Sequence, residues 1–102
     1  MPRLEQLLEL LNADPGDSFL RYGVAMEYAK QGEHDKALGE FDELLRRNPD
    51  YVAAYFMAGR TCEQKGEPEE ARKFYQRGII TAQKVGDHHA AGEMSSALMM
   101  LG

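Results

Sequence analysis

The sequence predicts an all-α protein, a stack of about six helices joined by short turns. Three observations carry that expectation. Apolar residues recur at the i, i+3, i+4, i+7 spacing of a helix face, and no stretch alternates convincingly with a period of two. Chain breakers fall at regular intervals, at Asp14-Pro15-Gly16, Gly32, Asn48-Pro49, Gly66 and Gly86. The segment YAKQGEHDKALGEF (Tyr28 to Phe41) returns 34 residues later as CEQKGEPEEARKFY (Cys62 to Tyr75). In that register Gly32 matches Gly66, Glu33 matches Glu67, Ala37 matches Ala71, and Phe41 matches the aromatic Tyr75.

The elements follow in order. Leu4, Leu7, Leu8 and Leu11 make one buried face of an opening helix, which Asp14-Pro15-Gly16 ends because Pro cannot continue it. Asp17 is a good N-cap for a second helix over about residues 18–31. Gly32 stops it, since glycine tolerates the left-handed conformation that follows a last helical turn. A third helix runs to Arg47, with Arg46 and Arg47 favourably placed at its negative end. Asn48-Pro49 breaks the chain, and Asp50 is the expected cap of a fourth helix ending at Lys65. Gly66 precedes a fifth helix, where Pro68 costs little in the first turn and Glu69 and Glu70 face the positive end. No Pro intervenes before Gly86, so this helix is the longer one. Asp87 caps a last helix with an apolar stripe of Ala90, Ala91, Met94, Ala97, Leu98 and Leu101.

Composition narrows the function classes. A chain of 102 residues with 43% apolar and 28% charged residues can bury one core, so disorder is not expected. Of the 17 acidic residues, 11 lie in residues 1–51 against six of the 12 bases, which disfavours a nucleic-acid partner. The longest nearly apolar run, Tyr51 to Gly59, is far short of the roughly 20 residues that span a bilayer. The opening residues do not read as a signal peptide, so no membrane partner and a cytoplasmic location are the expectations. One cysteine, Cys62, excludes an internal disulfide and a multi-cysteine metal site.

Paired helices at a 34-residue period resemble the tetratricopeptide repeat family, whose pattern is W-x2-L-G-x2-Y…A-x3-F…P. In a first unit Val24-Ala25, Tyr28, Ala37, Phe41 and Pro49 fill the pattern, while Arg21 stands at the usual Trp place. In a second unit Tyr55, Ala58-Gly59, Cys62, Ala71 and Tyr75 fill it, and Gln83 replaces the closing Pro. The resemblance implies a right-handed α-solenoid of antiparallel helix pairs within a single domain, residues 1–102. Its expected parts are a half-repeat helix (1–16), a first repeat (18–50), a second repeat (51–85) and a capping helix (87–102). It further implies a non-catalytic protein-interaction module, with a concave groove lined by the first helix of each pair and open to an extended peptide segment.

No enzyme is expected from the side chains. Cys62 stands where the first copy has Tyr28 and reads as a structural thiol rather than a nucleophile. His34, His88 and His89 form no triad with it. His88, His89 and Glu93 are the one metal-like cluster, but two ligands with Asp87 a poor third do not make a dedicated site. Neither a metal nor a cofactor is expected.

Two surfaces are candidates for partners. On the second helix Phe19, Tyr22, Met26 and Lys30 share one stripe, and 34 residues later the stripe reads Ala53, Phe56, Arg60 and Gln64. By the resemblance, Phe19, Tyr22, Met26, Lys30, Phe56, Arg60 and Gln64 line the groove. Aromatic anchors beside an Arg are a common composition for a recognition hot spot. The family's carboxylate-gripping variant uses Lys, Asn and Arg in its groove; Tyr22, Met26 and Met57 stand at corresponding positions here, so an apolar or mixed ligand is expected. The other surface is the last helix, where Met94, Met99 and Met100 are candidates for self-association into a homodimer. The same surface serves if the chain is one end of a longer array.

Overall fold

The computed structural model describes residues 3–102; Met1 and Pro2, part of the expected opening segment, lie outside them. Six helices follow one another: α1 (Arg3–Ala13), α2 (Ser18–Lys30), α3 (His34–Arg47), α4 (Val52–Lys65), α5 (Pro68–Val85) and α6 (His88–Leu101). No strand occurs among the described residues.

Local chemistry sets most of the boundaries. The Asp17 carboxylate accepts a hydrogen bond from the Leu20 N–H at 3.0 Å, and Asp87 accepts one from the Ala90 N–H at 3.1 Å. Each satisfies one of the otherwise unpaired donors of a first turn. Gly32 and Gly66, at φ of 80° and 89°, turn the chain after α2 and α4 in a conformation costly for other residues. Asp50 departs from expectation. The Tyr51 N–H closes a turn onto the Asn48 carbonyl at 3.1 Å, which leaves Tyr51 rather than Asp50 at the cap position of α4. Asp50 instead accepts from Lys84 Nζ at 3.0 Å and ties that turn to the end of α5.

Each helix packs against the next in sequence, and α2, α4 and α6 also touch one another in a row. This stacking gives an all-α solenoid whose one face is built from α2, α4 and α6. The core runs through the stack, with Val24, Phe41, Leu44, Tyr75 and Met94 fully buried and Tyr55 nearly so. Burying an aromatic or large aliphatic side chain contributes about 1.5–3 kcal/mol, so this column dominates the stability.

Two glycines let the layers approach. A Cβ on Gly59 would lie 2.7 Å from Tyr75 Cδ1, and one on Gly78 would lie 2.7 Å from Tyr55 Cβ while also meeting the Met94 sulfur. The Tyr55 Cβ is fixed by its backbone and cannot yield. Arg21, at the family's Trp place, uses its charge instead of bulk. Its Nη1 donates to Glu40 Oε1 at 2.7 Å and its Nη2 donates to the Pro15 carbonyl at 3.0 Å, so it joins α2 to α3 and to the preceding turn.

Gly78→Ala is expected to destabilise the domain by about 1–3 kcal/mol through overpacking. Gly39, where an added Cβ meets nothing within 4 Å, is the contrast. Gly39→Ala is expected to stabilise by about 0.5–1 kcal/mol through helix propensity alone. Chemical denaturation of the two variants beside the wild type measures both signs.

Candidate functional site

The row of α2, α4 and α6 carries three adjoining hollows. The first, about 200 Å³, opens between α1 and α2 and is walled by Leu7, Phe19, Leu20, Tyr22 and Met26. The second, about 300 Å³, opens between α2 and α4, with Met26, Glu27 and Lys30 on one side and Met57, Arg60 and Gln64 on the other. The third, about 220 Å³, is bounded by Phe56, Arg60, Glu63, Tyr75, Ala97 and Met100. Met26 is common to the first and second, and Arg60 to the second and third. The seven residues expected in the groove thus all lie on the walls of these three adjoining hollows.

They differ in how they belong to it. Phe19 is 73% exposed, and Lys30, Arg60 and Gln64 are also exposed. Tyr22 and Phe56 are half-buried and serve the core on one face. The Tyr22 ring stands edge-on to Phe41 at 6.2 Å and tilted against Tyr51 at 5.4 Å. Burial, with Tyr51 adding to it, raises the Tyr22 pKa above the ordinary phenol value. Phe56 packs on Tyr75 at 6.1 Å, and the Arg60 guanidinium lies 6.0 Å from the Phe56 ring centre, a cation–π distance. The Tyr75 hydroxyl donates to Glu63, and burial together with that bond raises its pKa strongly.

Met57, which stands at a groove position by the resemblance, lines the second hollow, while Leu7, Ala97 and Met100 complete the walls without having been expected there. Leu7 packs beside Gly23, where a Cβ would stand at ordinary contact distance, 3.7 Å, from both Leu7 methyls. The Leu7 side of the opening helix carried no sequence sign of which neighbour it would meet.

On the last helix, Met94 is a correction. It is fully buried, with its sulfur seated over the bare Cα of Gly78, and has nothing to offer a second chain. Met99 and Met100 are 81% and 87% exposed and, with Ser96, surround a hollow of about 320 Å³.

The other titratable groups singled out in the sequence lie apart from these hollows. Cys62 is buried, and desolvation, with Glu70 adding to it, pushes its thiol up to about 11. His89 Nε2 lies 3.6 Å from Glu93 Oε2 on an exposed helix turn. Among the described residues no group of three His, Cys, Asp or Glu is placed to hold a metal ion, and no helix is long and apolar enough to cross a membrane.

The tetratricopeptide repeat model matches residues 22–85, which is more than half of the chain. The chain belongs to the tetratricopeptide repeat family. A tetratricopeptide repeat-containing protein of Pseudomonas aeruginosa is 26% identical over 98 residues, covering 96% of this chain and 93% of that one. The solution structure of a tetratricopeptide repeat domain protein from Salinibacter ruber superposes with a TM-score of 0.81 at 33% identity, over 86% of this chain and 89% of that one. The crystal structure of YrrB, a repeat protein described as having an unusual peptide-binding site, superposes with a TM-score of 0.81 at 25% identity. That match covers 91% of this chain and 46% of YrrB. Membership makes this chain a protein-interaction module and gives the Trp-site Arg21 its meaning as a family departure.

At pH 8 a thiol with a pKa near 11 is only about one-thousandth thiolate. A disulfide reagent such as dithionitrobenzoate is therefore expected to label Cys62 at least about 100-fold more slowly in the folded protein than in denaturant. Rapid labelling of the native protein would contradict its burial.

Proposed function

We propose that the chain is a non-catalytic binding module that holds an extended segment of a partner protein in the depression formed by α1, α2, α4 and α6. The observation that carries this reading is that three hollows adjoin along one face, meeting at Met26 and at Arg60. An extended segment advances about 3.3 Å per residue, so adjoining hollows can meet several of its side chains at once. Exposed Phe19 offers an anchor at one end, and the polar ends of Lys30, Arg60 and Gln64 lie along the middle. The likeness to YrrB lends support, since that repeat protein is described as having a peptide-binding site. The helical stack holds the walls in place before binding, so the partner bears most of the ordering cost.

Phe19→Ala is the clean test, because Phe19 is exposed, whereas Tyr22→Ala would also remove core packing against Phe41 and Tyr51. Phe19→Ala is expected to weaken capture of partner proteins from the native cell extract by about 1–3 kcal/mol, with the circular dichroism melt unchanged. Capture at full strength by this variant and by Phe56→Ala would sink the groove reading.

A second reading rests on Met99 and Met100, whose exposure at 81% and 87% leaves an adaptable apolar surface on α6. Here two copies pair through that surface. Sedimentation is expected to show a concentration-dependent dimer that Met99→Glu/Met100→Glu abolishes. A wild-type protein that stays monomeric at hundreds of micromolar removes this reading.

A further inference from the structure

The cations of the chain are distributed in a way that names the partner's chemistry. Of its 12 Lys and Arg residues, Arg3, Arg21, Arg46, Arg47, Lys65, Arg72, Lys73 and Lys84 each have a carboxylate within ion-pair distance. That leaves Lys30, Lys36, Arg60 and Arg77 without one among the described residues. Lys36 lies over the Tyr28 ring and Arg77 over those of Tyr55 and Phe74. Lys30 and Arg60 are the two of these four that line one hollow together, from opposite walls, one on α2 and one on α4.

The one carboxylate in that hollow does not neutralise them. Glu27 is only 13% exposed at its side chain and is held by Arg3 at 3.2 Å. Arg60 is in addition steadied over the Phe56 ring. Glu63, which lines the next hollow beside Arg60, accepts from the Tyr75 hydroxyl, so a chain of net charge −5 keeps two cations without an ion-pair partner among the described residues on the walls of one hollow. Immediately beside them, across Met26, is the hollow of Leu7, Phe19, Leu20 and Tyr22, whose walls are mainly apolar.

Resting on the groove reading above, we infer that the partner segment carries an internal Asp or Glu that seats between Lys30 and Arg60, with an apolar side chain entering the α1–α2 hollow. The groove continues past Arg60 to Phe56, Ala97 and Met100, so the segment runs on beyond its acid rather than ending there. Met26 and Lys30 are one helical turn apart, about 6 Å, and the centre of the apolar hollow lies about one turn further back. At about 3.3 Å per extended residue, the acid and the apolar anchor are about two to four positions apart. The bidentate geometry of a guanidinium suits a carboxylate, and Lys30 supplies a second, mobile donor.

The test is selection of random 12-residue peptides displayed at the N-terminus of a phage coat protein, so that no free C-terminal carboxylate is offered. Recovered peptides are measured by fluorescence anisotropy against wild type, Phe19→Ala and Lys30→Gln/Arg60→Gln, all three checked by circular dichroism. The expected result is enrichment of an acid about two to four residues from an apolar side chain. Exchanging that acid for its amide, or using Lys30→Gln/Arg60→Gln, then weakens binding about 10-fold or more, and the two losses do not add. Binding also weakens from 50 to 300 mM salt, roughly as screening requires. Peptides that are lost on Phe19→Ala but indifferent to both exchanges overturn the carboxylate inference and leave the groove reading intact. A selection in which nothing responds to Phe19→Ala removes the groove reading and this inference together.

Discussion

The solenoid depends on helices that approach more closely than two side chains would allow. Gly59 gives its place to the Tyr75 ring, and Gly78 gives its place to the Met94 sulfur and to Tyr55. At each contact an aromatic or thioether fills the space of a missing side chain, so the layers interlock at interior packing density. The row of α2, α4 and α6 exists because those contacts bring α4 and α6 onto α5 at short range. The depression is the other side of the same packing.

Much of this was legible beforehand because it is local. Gly32 and Gly66 announce positive φ, Asp17 and Asp87 announce caps, and the 34-residue register pairs Ala37 with Ala71 and Phe41 with Tyr75. What was not legible depends on neighbours distant in sequence. Asp50 looked like a cap, but the turn at Asn48 shifts the helix start by one residue and Lys84 takes the carboxylate. Met94 read both as part of the apolar stripe of α6 and as a self-association candidate, because Gly78, its partner across the layer, lies on another helix and a glycine carries no sign of what will fill its place. Arg21 broke the family pattern without indicating that Glu40 and the Pro15 carbonyl would receive its guanidinium.

The groove stripe was legible in membership but not in rank. Spacing put Phe19, Tyr22, Met26 and Lys30 on one face, yet could not say that Tyr22 spends one face of its ring on Phe41 and Tyr51 while Phe19 stands clear. Nor could it reveal ion pairing. Glu27, beside Lys30, is taken by Arg3, and Glu63, beside Arg60, accepts from the Tyr75 hydroxyl, contacts between helices that no periodicity encodes.

Tyr22 and Phe56 are shared between stability and recognition, and that sharing has a physical consequence. A ring fixed by the core on one side loses little further freedom when a ligand covers the other, so it contributes contact area at low entropic cost. Arg60 extends the same economy of motion to a charge. Tyr75 fixes Phe56, and Phe56 lies at cation–π distance from the guanidinium, so the charge nearest the middle of the groove is positioned through a chain of packed rings from the core. Phe19, Lys30 and Gln64 carry no such duty to the fold. Substitution there changes what the groove prefers while leaving the stack intact, whereas substitution at Tyr22 or Phe56 changes both. A small solenoid can therefore keep one architecture and vary its partner, provided the variation falls on side chains that the core does not use.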